Sequence, residues 1–245
     1  MIDIHCHALP EVDDGAADGA EGLRMLAMAV EDGVTHLVLT PHFSPANRPL
    51  ERLETLKTRF TAFKPLAARA CPGLRLRLAA EVMICPEIVE MAADGTLPFL
   101  GKWDEARVFL MEFEPHSAPH WSLALIQKLR EMGIIPLIAH PERNLEFQAS
   151  PGRLAPYIAA GCLLQITSGS LTGRFGKGAY KAAEAILKNG WAGFIATDSH
   201  NAGPRSPDLA EGVRMAAGIV GEEEAAGMVS ANQRKLFRDA GPGLA

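Results

Sequence analysis

Apolar runs of strand length recur from one end of this chain to the other, and six of them end in a histidine or a carboxylate. His5 and His7 close the run that starts at Met1, and His42 closes 36–42. Glu81 follows 74–80, Glu112 follows 108–111, His140 ends 134–140, and Asp198 with His200 ends 194–200. Between the runs, apolar residues recur at three- and four-residue spacing, as in amphipathic helices. Strands alternating with helices predict parallel pairing through right-handed crossovers. The expected fold is α/β: a distorted (β/α)7 barrel, TIM-like, with strands within 1–7 and at 37–40, 75–80, 108–112, 136–139, 163–167 and 194–197. Helices are expected at 19–32, 50–70, 86–94, 121–131, 153–160, 178–189, 207–218 and 222–239. Side chains at the carboxyl ends of barrel strands converge on one mouth, and the active site is expected there.

The 245 residues suit one domain spanning 1–245, since α/β barrels reach that length as single units, and no linker or repeat divides the chain. A formal charge of -5 opposes a nucleic-acid backbone partner, which needs a basic face. No apolar stretch approaches the roughly 20 residues that span a bilayer, and no basic leader precedes the first run, so neither membrane insertion nor a signal peptide is expected. Cys6, Cys71, Cys85 and Cys162 form no Cys-x-x-Cys pair, which suits the reduced thiols of a cytoplasmic protein.

Residues two apart on a strand share a face. His5 and His7 are therefore expected to point into the mouth, with Ile4 and Cys6 turned toward the helices. Asp198 and His200 repeat that spacing on the last strand. Imidazoles and carboxylates are ligands of zinc, manganese and iron, and burying so many without a metal would cost several kcal/mol per unpaired charge. The pattern predicts a metallohydrolase site.

The opening stretch, Met1-Ile-Asp-Ile-His-Cys-His-Ala-Leu-Pro-Glu-Val-Asp-Asp-Gly15, resembles the first motif of the polymerase-and-histidinol-phosphatase (PHP) superfamily. More narrowly, it resembles the manganese-dependent tyrosine-protein phosphatases of bacterial capsule and exopolysaccharide operons. Further matches are Thr40-Pro-His42, Ala80-Glu-Val82, Met111-Glu-Phe113, His140-Pro-Glu-Arg143, the 165–173 segment, Thr197-Asp-Ser-His-Asn201 and Arg205-Ser-Pro207. They run in order from Met1 to Pro207.

The resemblance implies three divalent ions, manganese first, with zinc, iron or cobalt as alternatives. One would take His5, His7, Glu81 and Asp198; a second would share Glu81 and add Glu112 and His140; the third would take Asp14, His42 and His200. The family register favours Asp14 over Asp13 and Glu112 over Glu114. Arg143 and Arg205 are the expected phosphate clamps, because guanidinium donates two parallel bonds to phosphate oxygens. The implied reaction is phosphotyrosine hydrolysis through a metal-activated hydroxide, without a phosphoenzyme. A phenol of pKa roughly 10 departs readily, and no general acid is assigned. The implied partner is the phosphotyrosine-bearing tail of a bacterial tyrosine kinase that regulates capsule or exopolysaccharide synthesis; the oligomeric state is not implied.

Three rivals stand beside this reading. A histidinol-phosphatase is opposed by Asp14 and Glu112, a metal-dependent nuclease by the negative charge, and a degenerate metal-binding regulator by the full ligand set. Cys71 and Arg77 have the Cys-x5-Arg spacing of cysteine-dependent phosphatases, but the intervening Pro-Gly-Leu-Arg-Leu leads into a strand and not into a phosphate-cradling helix start. The stretch Asn47-Arg-Pro49 departs from the family pattern and is expected to alter substrate access.

Overall fold

The computed structural model describes residues 1–47 and 49–238. Its strands, in chain order, are β1 (Ile2–Cys6), β2 (His36–Leu39), β3 (His42–Phe43), β4 (Arg75–Leu78), β5 (Glu81–Met83), β6 (Gly101–Trp103), β7 (Ala106–Glu112), β8 (Ile134–Ala139), β9 (Leu163–Thr167) and β10 (Ala192–Ala196). Seven of these stand where apolar runs predict strands. The others arise from two interruptions and one added strand. The 36–43 segment breaks at Thr40-Pro41, where proline has no amide to give the ladder, and the 75–83 segment breaks at Ala79-Ala80. β6 folds back antiparallel on β7 through a turn with Asp104 at φ 52°.

One sheet has the order β1-β2-β4 and the other β10-β9-β8-β7-β5-β3, all parallel apart from β6. Because β2 leads into β3 and β4 into β5, the two sheets share chain. Further bonds link β1 to β10. Asp198 N–H donates to the His5 carbonyl at 2.9 Å and His7 N–H to that of Ser199 at 2.8 Å. At the other end, Ile2 N–H reaches Val229 O (2.8 Å) and Ile195 N–H reaches Met228 O (3.0 Å). Those two carbonyls explain why the helix expected at 222–239 is interrupted. It is two helices, Glu222–Gly227 and Ala231–Phe237, and the residues between them serve β1 and β10. Residue 239 of that expectation lies outside the described residues.

Helices Gly19–Glu31, Pro49–Ala70, Ile88–Ala93, Ser122–Glu131, Gly176–Lys188 and Leu209–Val220 fall where periodicity predicts them. The first is capped by Asp18, whose carboxylate accepts the Glu21 N–H at 2.7 Å. The expected 153–160 helix is a 3-10 turn, Pro151–Leu154, running into Ala155–Ala159. Short helices at Leu145–Ala149 and Ser168–Leu171 are additions.

Two apolar clusters follow from the strand faces. Leu37, Leu39, Phe109, Met111, Leu164 and Ile195 pack outward against helix residues such as Met25, Phe60 and Leu129. Ile4, Val38, Ala79, Leu110, Leu137 and Phe194 form the inner cluster, closed below by Leu100 and Leu236. Ile4 thus corrects the expectation that it faces the helices. Asp3 pairs with Leu37 and Cys6 with Leu39, so β1 takes three steps where β2 takes two. The bulge resets the alternation, letting His5 and His7 follow Ile4 on the inner face while Cys6 joins the outer cluster.

Candidate metal centre

Eight of the nine predicted ligands stand at the carboxyl end of a strand or at the start of a broken strand's second half, and Asp14 lies in the loop that follows β1. His42 opens β3 and Glu81 opens β5, and the two are register partners. Glu112 ends β7, His140 follows β8, and Asp198 and His200 follow β10. His140 (φ 30°) and Asp198 (φ 49°) occupy the left-handed region, costly for residues with a Cβ and common where a site fixes a side chain.

Four atoms make the densest grouping. His5 Nε2 lies 3.1 Å from His7 Nε2, 3.3 Å from Glu81 Oε2 and 3.2 Å from Asp198 Oδ1. His7 Nε2 lies 3.4 Å and 3.3 Å from the same two oxygens. At those separations the four donor atoms are close enough to share one divalent ion. A second grouping joins His140 Nε2 to Glu81 Oε1 at 2.6 Å and to Glu112 Oε1 at 3.8 Å. A third places Asp14 Oδ1 at 3.3 Å from His42 Nε2 and 3.5 Å from His200 Nε2. His42 spans the last two, since its Nδ1 lies 3.0 Å from Glu81 Oε2 and 3.6 Å from Glu112 Oε2. All nine predicted ligands are therefore gathered in one nest.

The second layer explains why the free nitrogens aim inward. Gln165 Oε1 takes His5 Nδ1 at 2.8 Å, Asp13 Oδ2 takes His7 Nδ1 at 2.8 Å, and the Asp198 carbonyl takes His200 Nδ1 at 3.0 Å. With Nδ1 donating, each Nε2 faces the centre and offers it a lone pair once any proton there is lost. The two aspartates of the 13–14 pair do different work. Asp13 orients His7 and receives the His42 and Gly15 amides, while Asp14 faces His42 and His200. Only glycine fits at 15, where a Cβ would stand 2.0 Å from the His7 carbonyl oxygen.

Electrostatics supply the test of fit. Glu81 Oε2 and Asp198 Oδ1 are buried and receive no hydrogen bond, although imidazole nitrogens surround them. Burial opposes charge on Glu81, but His5 and His140 hold its carboxyl well below the usual range. Burial likewise opposes charge on Asp198, and His5, His7 and Arg143 hold it well below. For His5 and His7, burial favours the neutral ring and the surrounding carboxylates override it, so both hold protons above the usual histidine range. Glu112 is pushed up to about 7, first by burial and then by Glu81. His200 is driven down to about 3 by burial and by His7, which leaves its ring neutral. Buried anions and protonated imidazoles sharing one space are what cation ligation would resolve, because a divalent ion supplies the positive charge that protons otherwise bring. The donor set fits divalent metal.

Arg143 and Arg205 meet at one carboxylate. Both donate to Asp198 Oδ2, Arg205 at 2.8 Å, and both stack on Phe175 at 4.4 and 5.8 Å from its ring centre. The 3-10 turn Pro141–Arg143 brings Arg143 there, and the 201–206 loop folds Arg205 back so that its carbonyl accepts the His200 amide. Sequence reasoning did not assign four further residues. Glu142 is fully buried between His140 and Arg143 and accepts the Thr167 amide (2.9 Å) and the Ser170 hydroxyl (2.7 Å), which pins the turn to β9. Asp3 accepts the Thr197 hydroxyl at 2.6 Å and its amide at 3.1 Å. Gln165 and Phe175 complete the set; only the odd-numbered alternation along 163–167 hints at Gln165. Cys71 sits buried at a helix end with its thiol pushed up by burial, and Arg77 stacks on Phe237, so the cysteine-phosphatase spacing builds no phosphate cradle.

Parallel strands delivering imidazoles and carboxylates into one buried nest define the class: an α/β protein built around a candidate polynuclear metal centre. The chain belongs to the capsular polysaccharide synthesis family CpsB/CapC, whose sequence model matches residues 1–238. It is 34% identical over 212 residues to the tyrosine-protein phosphatase YwqE of Bacillus subtilis, covering 84% of this chain and 80% of that protein. It is 27% identical over 244 residues to the tyrosine-protein phosphatase CpsB of Streptococcus pneumoniae, covering 98% and 99%. A crystal structure from work on those two proteins, described as unique metal-dependent tyrosine phosphatases, superposes with a TM-score of 0.89 at 31% identity, covering 98% of this chain and 96% of that one.

Proposed function

We propose that this chain is a metal-dependent protein-tyrosine phosphatase. The observation that carries the reading is the pair of buried, hydrogen-bond-free oxygens, Glu81 Oε2 and Asp198 Oδ1, set among imidazole nitrogens in a member of the CpsB/CapC family. His5, His7, Glu81 and Asp198 would hold one ion, Glu81, Glu112 and His140 a second, and Asp14, His42 and His200 a third. Manganese suits the mixed nitrogen and oxygen donors. When bound, the ions supply charge neutralisation and a water acidic enough to lose a proton near neutrality. The chain's own residues do the rest. Arg143 and Arg205 bind the phosphoryl oxygens, Phe175 stacks on both guanidinium groups to hold them flat, and Asp13 and Gln165 fix the two first imidazoles.

The same reading extends to the whole chain: a distorted seven-stranded barrel, supported by the bonds between β1 and the residues just after β10 and by the 228–229 backbone that bridges their other ends, forming one domain over 1–245. It acts in the cytoplasm on phosphotyrosine in the tail of a bacterial tyrosine kinase that controls capsule or exopolysaccharide synthesis. Membership of a capsular polysaccharide synthesis family supports that partner. No described helix is long and apolar enough to cross a membrane.

The deciding experiment offers manganese-loaded protein three substrates: a phosphotyrosine peptide, histidinol phosphate and single-stranded DNA. Rapid phosphate release from the peptide alone is expected. Preference for histidinol phosphate or for DNA would overturn the assignment in favour of the corresponding rival, and no turnover of any of the three would favour a regulator.

A further inference from the structure

A cavity of about 500 Å³ opens beside the nest, over β3, β5 and β7. His42, Glu81 and Glu112 form its inner wall, so it is continuous with the candidate metal centre. The outer wall is different in character: Met83, Pro115 and Arg52. Strand geometry dictates the change. Glu81 and Met83 are two apart on β5 and share a face, which sets Met83 one pleat beyond the buried carboxylate, at the mouth. Met83 is also the register partner of Glu112 on β7. It is half-buried, whereas Val82 between the two is fully buried in the outer core. Phe43 and Pro115 line the same cavity, and a thioether beside them at the lip of a charged pocket is suited to the face or edge of a further aromatic ring.

Arg52 reaches the same cavity from the first turn of the helix Pro49–Ala70. Its guanidinium donates to the backbone carbonyls of Val12 and His42, the latter at 3.3 Å, and no described carboxylate pairs with it. Arg143 and Arg205 lie elsewhere, together at Asp198 after β10. Glu112 and Pro115, which line this cavity, also line a smaller cleft that reaches His140 and Arg143, so the cavity adjoins the arginine side of the nest.

We propose that the cavity is the leaving-group pocket: it takes the aromatic ring of a phosphotyrosine against Met83 and Pro115, with Arg52 meeting an acidic side chain of the same peptide. This rests on the phosphatase reading and adds to it the side chains that would meet the ring and the acidic character of the flanking peptide. In the reaction so placed, the bond between phosphorus and the phenolic oxygen breaks and one from a water oxygen to phosphorus forms. The departing phenolate takes up the proton that the water gives up.

The test measures binding to the manganese-loaded protein by calorimetry, using inorganic phosphate and two peptides that carry a non-hydrolysable phosphonate analogue of phosphotyrosine, one flanked by glutamates and one by alanines. Met83→Ala is expected to weaken both peptides about tenfold and leave inorganic phosphate within about twofold, with Met83→Leu restoring the peptides. The glutamate-flanked peptide is expected to bind the unaltered protein more tightly than its alanine counterpart. Unchanged peptide affinity in Met83→Ala, or phosphate weakened as much as peptide, would overturn the pocket; equal affinity for the two peptides would overturn the role of Arg52. If the unaltered protein hydrolyses phosphotyrosine peptides while Met83→Ala binds them normally, the pocket alone falls. If it hydrolyses none, the phosphatase reading falls and takes the pocket with it.

Discussion

At the level of single residues, the site depends on side chains that cannot be exchanged for near relatives. Arg143 and Arg205 are planar donors stacked on Phe175, and a lysine could neither stack nor offer the fork. Neither arginine belongs to the proposed ligand set. Arg143→Ala is accordingly predicted to lower turnover of a phosphotyrosine peptide by roughly 10²–10³-fold, the range for losing one charge-stabilising donor, while bound metal per protein stays unchanged. Metal analysis and steady-state kinetics on one preparation check both halves. Eight of the nine ligand residues are legible in the sequence because they stand at strand ends, where position alone implies convergence; Asp14, in the loop after β1, is singled out by the family register. Asp13 and Asp14 are adjacent; the family register already sets Asp14 with His42 and His200, while the role of Asp13 toward His7 emerges only on folding. Glu142 is less legible still: it reads as a loop carboxylate, and its partners Thr167 and Ser170 are remote in sequence.

At the level of strands and helices, alternation located seven strands and six helices closely because their apolar faces meet two distinct clusters. What it missed has local causes. The β1 bulge inserts one residue and so breaks the period of two on which the placement of Ile4 relied. The interruption of the last helix follows from carbonyls lent to β1 and β10, a demand that no local propensity reports. β6 is only three residues long, and its turn at Asp104 lacks a glycine signal. The Asn47-Arg-Pro49 departure includes residue 48, which lies outside the described residues.

The join between β1 and the segment after β10 carries a titratable clasp. Burial raises the Asp3 carboxyl to about 6 despite the donors of Thr197. Its folded value thus exceeds the unfolded one of 3.8, so the stabilisation it brings is complete below about pH 4 and is lost as pH rises through 6. Asp3→Asn cannot ionise. Denaturant melts of the two metal-free proteins should show the unaltered chain losing on the order of 1–3 kcal/mol relative to the variant between pH 4 and pH 7. Parallel curves across that range would contradict the raised value.

For the molecule as a whole, metal, protons and stability are linked. His5 and His7 hold protons that ligation must expel, and Glu112 at about 7 must also ionise. Manganese affinity should therefore rise with pH and fall on acidification, with protons released on binding; calorimetry in buffers of different ionisation enthalpy counts them. Because the ligands come from both ends of the chain, ions hold the whole fold. At about 100 times the dissociation constant, a single site adds roughly 2.7 kcal/mol, which for a chain of this size raises the melting temperature by roughly 5–10 °C. Chelation should remove that increment and manganese restore it.

All of this chemistry turns on a nest that holds several divalent ions. Anomalous diffraction at the manganese edge, on crystals grown with the metal, tests it most directly. Separate peaks are expected within ligand reach of three sets: His5, His7, Glu81 and Asp198; Glu81, Glu112 and His140; and Asp14, His42 and His200. A map without peaks there, with Glu81 and Asp198 satisfied instead by protein donors or water, would contradict it.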